Sequence, residues 1–256
     1  MLPAVFLIAV FMTMAGRGGG NFYVLLQVIA GVSMHLAAST GQLIMFFTSL
    51  AALIVFQKHR NVAWRMALFL GLTTSLTAFF GGLLAHLFTG TVLKLVFATL
   101  LVIASLLMLF PVAGGKSPAS RSRGHWRFEA SGVSIVINLW LAIPFSIATG
   151  FFAGMVGVSG GSFLIPLMVL ACRMPMKLAV GTASVLVGAT AGMGFLGHVV
   201  ESGVDWSWAL PQAAVAVVGG LIGGKLALKT RPKVLKQIFA YTTLAAAVFM
   251  YLKAFA

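Results

Sequence analysis

Gly157-Val158-Ser159-Gly160-Gly161-Ser162-Phe163-Leu164-Ile165-Pro166 is a glycine-rich interruption between two apolar runs. Near the start of the chain, Gly16-Arg17-Gly18-Gly19-Gly20-Asn21-Phe22 has the same form and interrupts another. Glycine costs about 1 kcal/mol relative to alanine inside a helix, and it lets the backbone turn or approach another group closely. Two such breaks at matching places in two halves of a membrane protein point to a transport site.

The residues around the breaks fix the class. Hydrophobic residues make up 61% of the chain and charged residues 8%, and apolar runs of membrane-spanning length cover most of it. The chain is therefore expected to cross the lipid bilayer several times. Seventeen Lys and Arg against three Asp and Glu leave a net charge of +14. In a soluble domain that excess would suggest nucleic acid. Here the cations sit in a few short loops, as cytoplasmic loops do under the positive-inside rule, so no nucleic-acid partner is expected. The single cysteine, Cys172, excludes an internal disulfide and a cysteine-based metal cluster. Pro3 to Ala15 has no basic leader and does not read as a cleavable signal.

Apolar segments fall at 3–15, 22–36, 40–56, 65–88, 92–112, 133–155, 162–172, 179–200, 207–228 and 234–254. Between the fifth and the sixth lies a polar stretch with Lys116, Arg121, Arg123 and Arg127. The expected division is a transmembrane repeat over 1–113, a basic cytoplasmic linker over 114–130 and a second transmembrane repeat over 131–256. Trp64 and Trp206, Ala67 and Ala209, Gly81-Gly82 and Gly223-Gly224, and Val92-Leu93-Lys94 and Val234-Leu235-Lys236 all stand 142 residues apart. Phe97-Ala98 and Phe239-Ala240, and Thr40 and Thr182, keep that offset. The glycine breaks align at 141, one residue of slip across a loop. Shared Trp, paired Gly and Lys at one offset mark an internal repeat.

Loop charges orient the halves. Lys58, His59, Arg60 and Arg65 form a basic loop whose repeat mate carries Glu201 and Asp205 and no Lys or Arg. The loop after Phe88 is nearly uncharged, whereas its mate holds Lys229, Arg231, Lys233 and Lys236. Basic loops face the cytoplasm, so equivalent loops lie on opposite sides and the repeats are inverted. Segments 3–15 and 162–172 are too short to cross about 30 Å at about 1.5 Å per residue. Each pair around a break is therefore read as a re-entrant or discontinuous hairpin reaching mid-membrane, in an all-α polytopic fold. With segments 1 and 2 as a hairpin, both termini fall outside.

A helix that starts after a glycine break presents unpaired N–H groups and the positive end of its dipole, which favours an anion. Ser159, Gly160, Gly161 and Ser162 in one half and Gly18, Gly19, Gly20 and Asn21 in the other would supply the donors, and Arg17 a full charge. A sulfonate, sulfite or carboxylate fits between the breaks, where irregular backbone lines a cavity. The competing reading is that the glycines only allow close helix packing, and for Gly81-Gly82 and Gly223-Gly224 that reading is preferred.

The second half resembles the TauE/SafE family of sulfite exporters. The resemblance is carried by Gly154-Met155-Val156-Gly157-Val158-Ser159-Gly160-Gly161-Ser162-Phe163-Leu164-Ile165-Pro166-Leu167 followed by Ala179-Val180-Gly181-Thr182-Ala183-Ser184. The family pattern is a Gly-rich motif leading into an apolar run with Pro, then Ala-x-Gly-Thr-Ser, and a weaker copy recurs in the first half. Ser159 stands where the family commonly has Gly, and Ala183 where Ser is usual, with Ser184 next to it. In the first half Ser39-Thr40-Gly41-Gln42 occupies the Gly-Thr position. The resemblance implies a membrane transporter exporting sulfite or a small organosulfonate, with no cofactor.

Thr40, Gln42, Thr182 and Ser184, near the start of the third helix of each half, are read either as substrate contacts or as caps. Gln27, Asn138 and Gln212 are expected to bond between helices. Among His35, His86 and His198 a proton relay is conceivable, but each lies near a helix end and an interfacial place is preferred. Cys172 is read as packing, and Trp64, Trp206 and Trp208 as an interface belt. No acidic residue lies inside a span, and no metal cluster, nucleophile triad or nucleotide loop is found, so no metal site and no enzymatic activity are expected. An alternating-access anion transporter is the preferred reading. An anion channel of the same fold and a homodimer stay open.

Overall fold

The computed structural model describes residues 1–87, 90–109, 124–157 and 160–255. Its helices are α1 (Leu2–Met14), α2 (Gly20–Ile29), α3 (Met34–Lys58), α4 (Trp64–Leu83), α5 (Gly90–Leu109), α6 (Leu139–Val156), α7 (Gly161–Pro166), α8 (Met176–Ser202), α9 (Trp206–Lys229) and α10 (Pro232–Phe255). A π-helical turn, Leu167–Ala171, continues α7. Among the described residues α3, α4, α6, α8 and α9 are each long and apolar enough to cross a membrane. The protein is a helical, multi-pass membrane protein, and most bounds follow the apolar segments, but α2 ends at Ile29 and not at 36, and α3 already begins at Met34 and not at 40.

A second stretch departs further from the sequence reading. Val133–Asn138, expected to open a membrane segment, is a strand β2 paired antiparallel with β1 (His125–Ala130), in register from His125 opposite Asn138 to Ala130 opposite Val133. Ser131 and Gly132 both take positive φ, 51° and 75°, as a two-residue turn matching the strand twist demands. The alternation is that of a half-buried strand. Phe128, Ile135 and Ile137 are buried in the main core with Met66 and Leu70 of α4, while Ser134 is exposed. The boundary expected at 130/131 thus falls at the hairpin turn, and 114–123 lies outside the described residues. Asn138, expected to bond between helices, instead caps α6 by accepting from the Trp140 N–H at 3.0 Å.

Helix contacts come in exchangeable pairs. α3 packs on α9 as α8 packs on α4, α1 on α9 as α6 on α4, and α2 on α3 as α7 on α8, while α3–α8 and α5–α10 pair directly. The paired glycines serve these crossings. Gly81 faces the α6 backbone at Phe151 and Met155, and Gly223 faces the α1 backbone at Val10 and Thr13. Gly82 faces Gly194 and Gly197 of α8, and Gly224 faces Val55 of α3. Small residues let membrane helices approach closely, so the packing reading of these pairs holds.

The same contacts give directions. Phe6 and Ala9 meet Gly219, and Val10 and Thr13 meet Gly223, so α1 runs alongside α9 in the same sense. α2 then returns to the start of α9, where Gln27 Nε2 donates to Gln212 Oε1 at 2.7 Å. In the other half Gly150 meets Thr74 and Gly154 meets Ala78, so α6 follows α4, and the chain returns through α7 to the start of α8.

A group of cations gathers at one end of the bundle. Thr182 Oγ1 accepts from the Ala63 N–H at 3.0 Å, Lys177 Nζ donates to the Leu228 carbonyl at 2.6 Å, and Ser131 donates to the Arg60 carbonyl. These bonds hold together the α3–α4 turn, the hairpin, the start of α8 and the end of α9, and with them Lys58, Arg60, Arg65, Lys177 and Lys229. Asp205 marks the opposite end, capping α9 through the Ser207 and Trp208 N–H groups. The Ser207 hydroxyl and then the Trp208 N–H hold its carboxyl below the ordinary carboxylate range.

Gln27 and Gln212 do bond between helices, as expected. Trp208 Nε1 donates to Gln27 Oε1 at 2.6 Å, and Gln212 Nε2 donates to the Trp208 carbonyl at 3.0 Å. Gln212→Leu removes the acceptor of the Gln27 amide, leaving Trp208 as its bond to α9, and leaves a buried amide hydrogen unbonded. It is expected to cost about 1–3 kcal/mol, read as a lower thermal unfolding temperature than wild type or a Gln212→Glu control.

Candidate functional site

The first break begins with a helix stop of known geometry. The Gly16 N–H bonds to the Thr13 carbonyl and the Arg17 N–H to the Met12 carbonyl, at 2.9 and 3.0 Å, with Gly16 at φ +73°. This is the Schellman arrangement, which needs a left-handed residue and here takes glycine. Gly157 ends α6 with φ +74°. An added Cβ at Gly16 would press on Val180 of α8, and one at Gly157 on Ala38 of α3. Val180 and Ala38 stand 142 residues apart. The two breaks thus sit against equivalent positions of the two central helices.

They also meet each other. A Cβ on Gly161 would lie 2.6 Å from Val187 Cγ2, 3.0 Å from the Gly16 carbonyl oxygen and 3.8 Å from Arg17 Cα. Gly18, at φ +64°, is closed in by the same Val187 and by Met45, the latter 3.0 Å from its built Cβ. Met45 and Val187 are each the twelfth residue of their helices, which have 25 and 27 residues. The junction of the breaks is therefore close to the middle of α3 and α8. Gly19, at φ +86°, caps α2 against the Tyr23 ring, and Gly20 begins that helix.

Arg17 is buried at this junction, 2% exposed. Its Nη1 donates to Thr243 Oγ1 of α10 at 3.0 Å, and the guanidinium carbon lies 5.6 Å from the centroid of the Phe239 ring. The cation is held by a hydroxyl and an aromatic face. On the other side of the junction Gly160 is loosely surrounded, with Thr149 and Thr190 methyls 3.7 Å from a built Cβ.

The remaining sequence candidates separate. Gln42 is wholly buried, and its Nε2 donates to the Gly154 carbonyl at 3.4 Å, beside the second break. Thr40 is buried on the same helix, four residues before Ile44. Thr182 is turned to the α3–α4 turn, where it caps Ala63 and donates to Leu178, and Ser184 donates to the Val180 carbonyl at 3.2 Å. Ser159 lies outside the described residues, as do the side chains of Asn21 and Ser162. His35 and His86 are exposed, as an interfacial place requires, but His198 is 2% exposed. It packs where Gly82 and Gly197 bring α4 and α8 together. Cys172 is buried in the main core. Sequence reasoning missed Thr243 and Phe239 as neighbours of Arg17. Phe239 was visible only as a repeat match, and a lone threonine in an apolar helix carries no sign of a partner 226 residues away.

Comparison with known proteins agrees with this architecture. The family description "Sulfite exporter TauE/SafE" matches residues 1–250. A "Probable membrane transporter protein" of Xylella fastidiosa is 27% identical over 245 residues, covering 93% of this chain and 89% of its own. "Probable membrane transporter protein YunE" of Bacillus subtilis is 24% identical over 239 residues, covering 88% and 87%. A "Probable membrane transporter protein" of Methanocaldococcus jannaschii, MJ0441, is 18% identical over 243 residues. No solved structure matches the chain. With a match over nearly its whole length, on a bundle of membrane-spanning helices, the chain belongs to the TauE/SafE family and is a membrane transporter.

Proposed function

We propose that the protein exports sulfite or a small organosulfonate by alternating access, with the anion held between the two glycine breaks. The observation that carries this reading is the junction itself: Gly161 against Gly16 and Arg17, beneath Val187, with a buried guanidinium beside it. A cation at membrane depth favours an anionic ligand, and helix starts at Gly20 and Gly161 add N–H donors of the same polarity. Arg17, Gly18, Gly19 and Gly20 form one wall, and Gly160 and Gly161 the other. Gln42 and Thr40 belong to the surrounding shell, whereas Thr182 and Ser184 act by holding α8.

The exchangeable helix pairs and the opposite senses of the two hairpins support inverted repeats over 1–113 and 131–256. Cations at one end support a cytoplasmic location for that end and an outside location for both termini. Rocking of the halves would then open the junction to either side. The test is thermal unfolding of purified protein with sulfite, sulfoacetate, sulfate, thiosulfate and a monocarboxylate. A ligand that binds only the folded state raises stability by about 2.7 kcal/mol at a hundred times its Kd. Sulfite or sulfoacetate is expected to give the largest rise. A larger rise with the monocarboxylate would reassign the substrate, and a saturating flux replaced by ohmic conductance in planar bilayers would reassign the protein as a channel.

A further inference from the structure

We infer that His198 is a proton-binding site of the transport cycle, and that its charge decides which of two donors, His198 or Gln42, holds the Gly154 carbonyl. The inference rests on the transporter reading above and adds the ion that the substrate site does not name.

His198 Nε2 lies 2.8 Å from the Gly154 oxygen. A carbonyl only accepts, so this ring nitrogen carries the hydrogen. The same oxygen faces Gln42 Nε2 at 3.4 Å, a long contact, while Gln42 Oε1 is buried with no hydrogen-bond partner. The Gly157 N–H reaches the same oxygen at 3.2 Å, so one carbonyl is shared by a single well-made bond and two long ones. The two donors are neighbours because Gly194, one turn before His198, has no side chain and the Gln42 amide fills its place. Gly154 lies three residues before Gly157, so whatever holds its carbonyl holds the end of α6 at the second break.

Charging the ring here would take an ion out of water in an apolar surrounding. α3 carries His35, a second base, at its start, and the turn after α4 carries His86. α6 has no titratable side chain, and α4 has only Arg65, at its far end. On α8 itself Glu201 follows three residues later, with its side chain outside the described residues. The neutral ring therefore fits the present arrangement. A protonated ring is drawn toward water at the end of α8, one turn away at Ser202. Gln42 then closes on the Gly154 oxygen, so that a buried acceptor is not left with only the long bond from the Gly157 N–H. Phe56 stands 142 residues before His198 and Ser184 the same distance after Gln42, so the exchange has no counterpart in the other half and acts on one hairpin alone.

Thermal unfolding without added anion, from about pH 5 to about pH 8, tests this directly. Wild type is expected to lose stability as pH falls through the histidine range, because the neutral ring is the form that fits. His198→Gln, which keeps a donor but does not titrate, is expected to give a flat profile, and His198→Asn serves if that variant does not fold. Gln42→Leu is expected to lose roughly twice as much as wild type, since no side-chain donor then replaces the ring and the carbonyl keeps only the long bond from the Gly157 N–H. A sloping His198→Gln profile, or a Gln42→Leu profile no steeper than wild type, overturns the proposal. In proteoliposomes, sulfite efflux should change about tenfold over one pH unit in wild type and less than about twofold in His198→Gln. Absence of sulfite flux at every pH would count against the substrate assignment, while the unfolding profiles still decide the role of His198.

Discussion

Arg17→Met is expected to abolish stabilisation by the anion and to lower efflux from proteoliposomes by a factor of about thirty or more, while leaving the unliganded protein as stable as wild type or more so. The two halves of that expectation have different causes. Methionine keeps an unbranched apolar stem against Phe239, and replacing a buried ion by an apolar side chain of similar volume is often neutral or stabilising. Removing one charged partner of a buried ion contact, by contrast, costs about 2–5 kcal/mol of binding, and each 1.4 kcal/mol or so is tenfold in affinity. Arg17→Lys should fall between, because an ammonium keeps the charge but not the planar fork that matches an oxyanion. Anion-dependent shifts in unfolding temperature and radiolabelled sulfite efflux check both halves. An Arg17→Met protein that unfolds much earlier yet still responds to the anion would make Arg17 a structural residue tied to Thr243 and nothing more.

Two adjacent glycines are expected to respond oppositely. At Gly161 an alanine methyl would lie 2.6 Å from Val187 and 3.0 Å from the Gly16 carbonyl, one contact with a stiff β-branched side chain and one with backbone. Neither yields cheaply, so Gly161→Ala should cost about 1–3 kcal/mol and separate the two breaks. At Gly160 the same methyl meets Thr149, Thr190 and Leu164 at 3.7–3.8 Å, ordinary contact distances. The backbone there is right-handed helical, φ −62°, which alanine accepts. Gly160→Ala should therefore unfold within about 0.5 kcal/mol of wild type, and any loss of transport in it would come from the site. Thermal unfolding of the two variants side by side checks the contrast. Equal destabilisation would mean that the breaks are packed differently from this arrangement.

The features legible in the sequence are those that depend on local pattern. Helix positions followed from apolar runs, the breaks from glycine clusters, and the clustering of Lys58, Arg60, Arg65, Lys177 and Lys229 at one end from loop charge. The hairpin at 125–138 was hidden because β2 is apolar and adjoins an apolar helix, so hydropathy runs through both without a step. The available signal was Ser131-Gly132 between two alternating runs. Partner choice was hidden for a different reason. Protein-facing and lipid-facing sides of a membrane helix are both apolar, so nothing local marked His198 as buried, Thr182 as the cap of a neighbouring helix, or Thr243 as the partner of Arg17. The offset of 142 was the one long-range signal, and the same offset separates Ala38 from Val180 and Met45 from Val187, the residues that meet the breaks.

The junction of the breaks is the centre of the account, and selenite, the selenium counterpart of sulfite, can locate an anion there by anomalous scattering. In crystals of the protein grown with selenite, a selenium peak is predicted within hydrogen-bond reach of the Arg17 guanidinium, between Gly18–Gly20 and Gly161. A peak at the basic end near Lys58, Arg60 and Lys177, with the junction empty at a concentration that stabilises the protein, would contradict it.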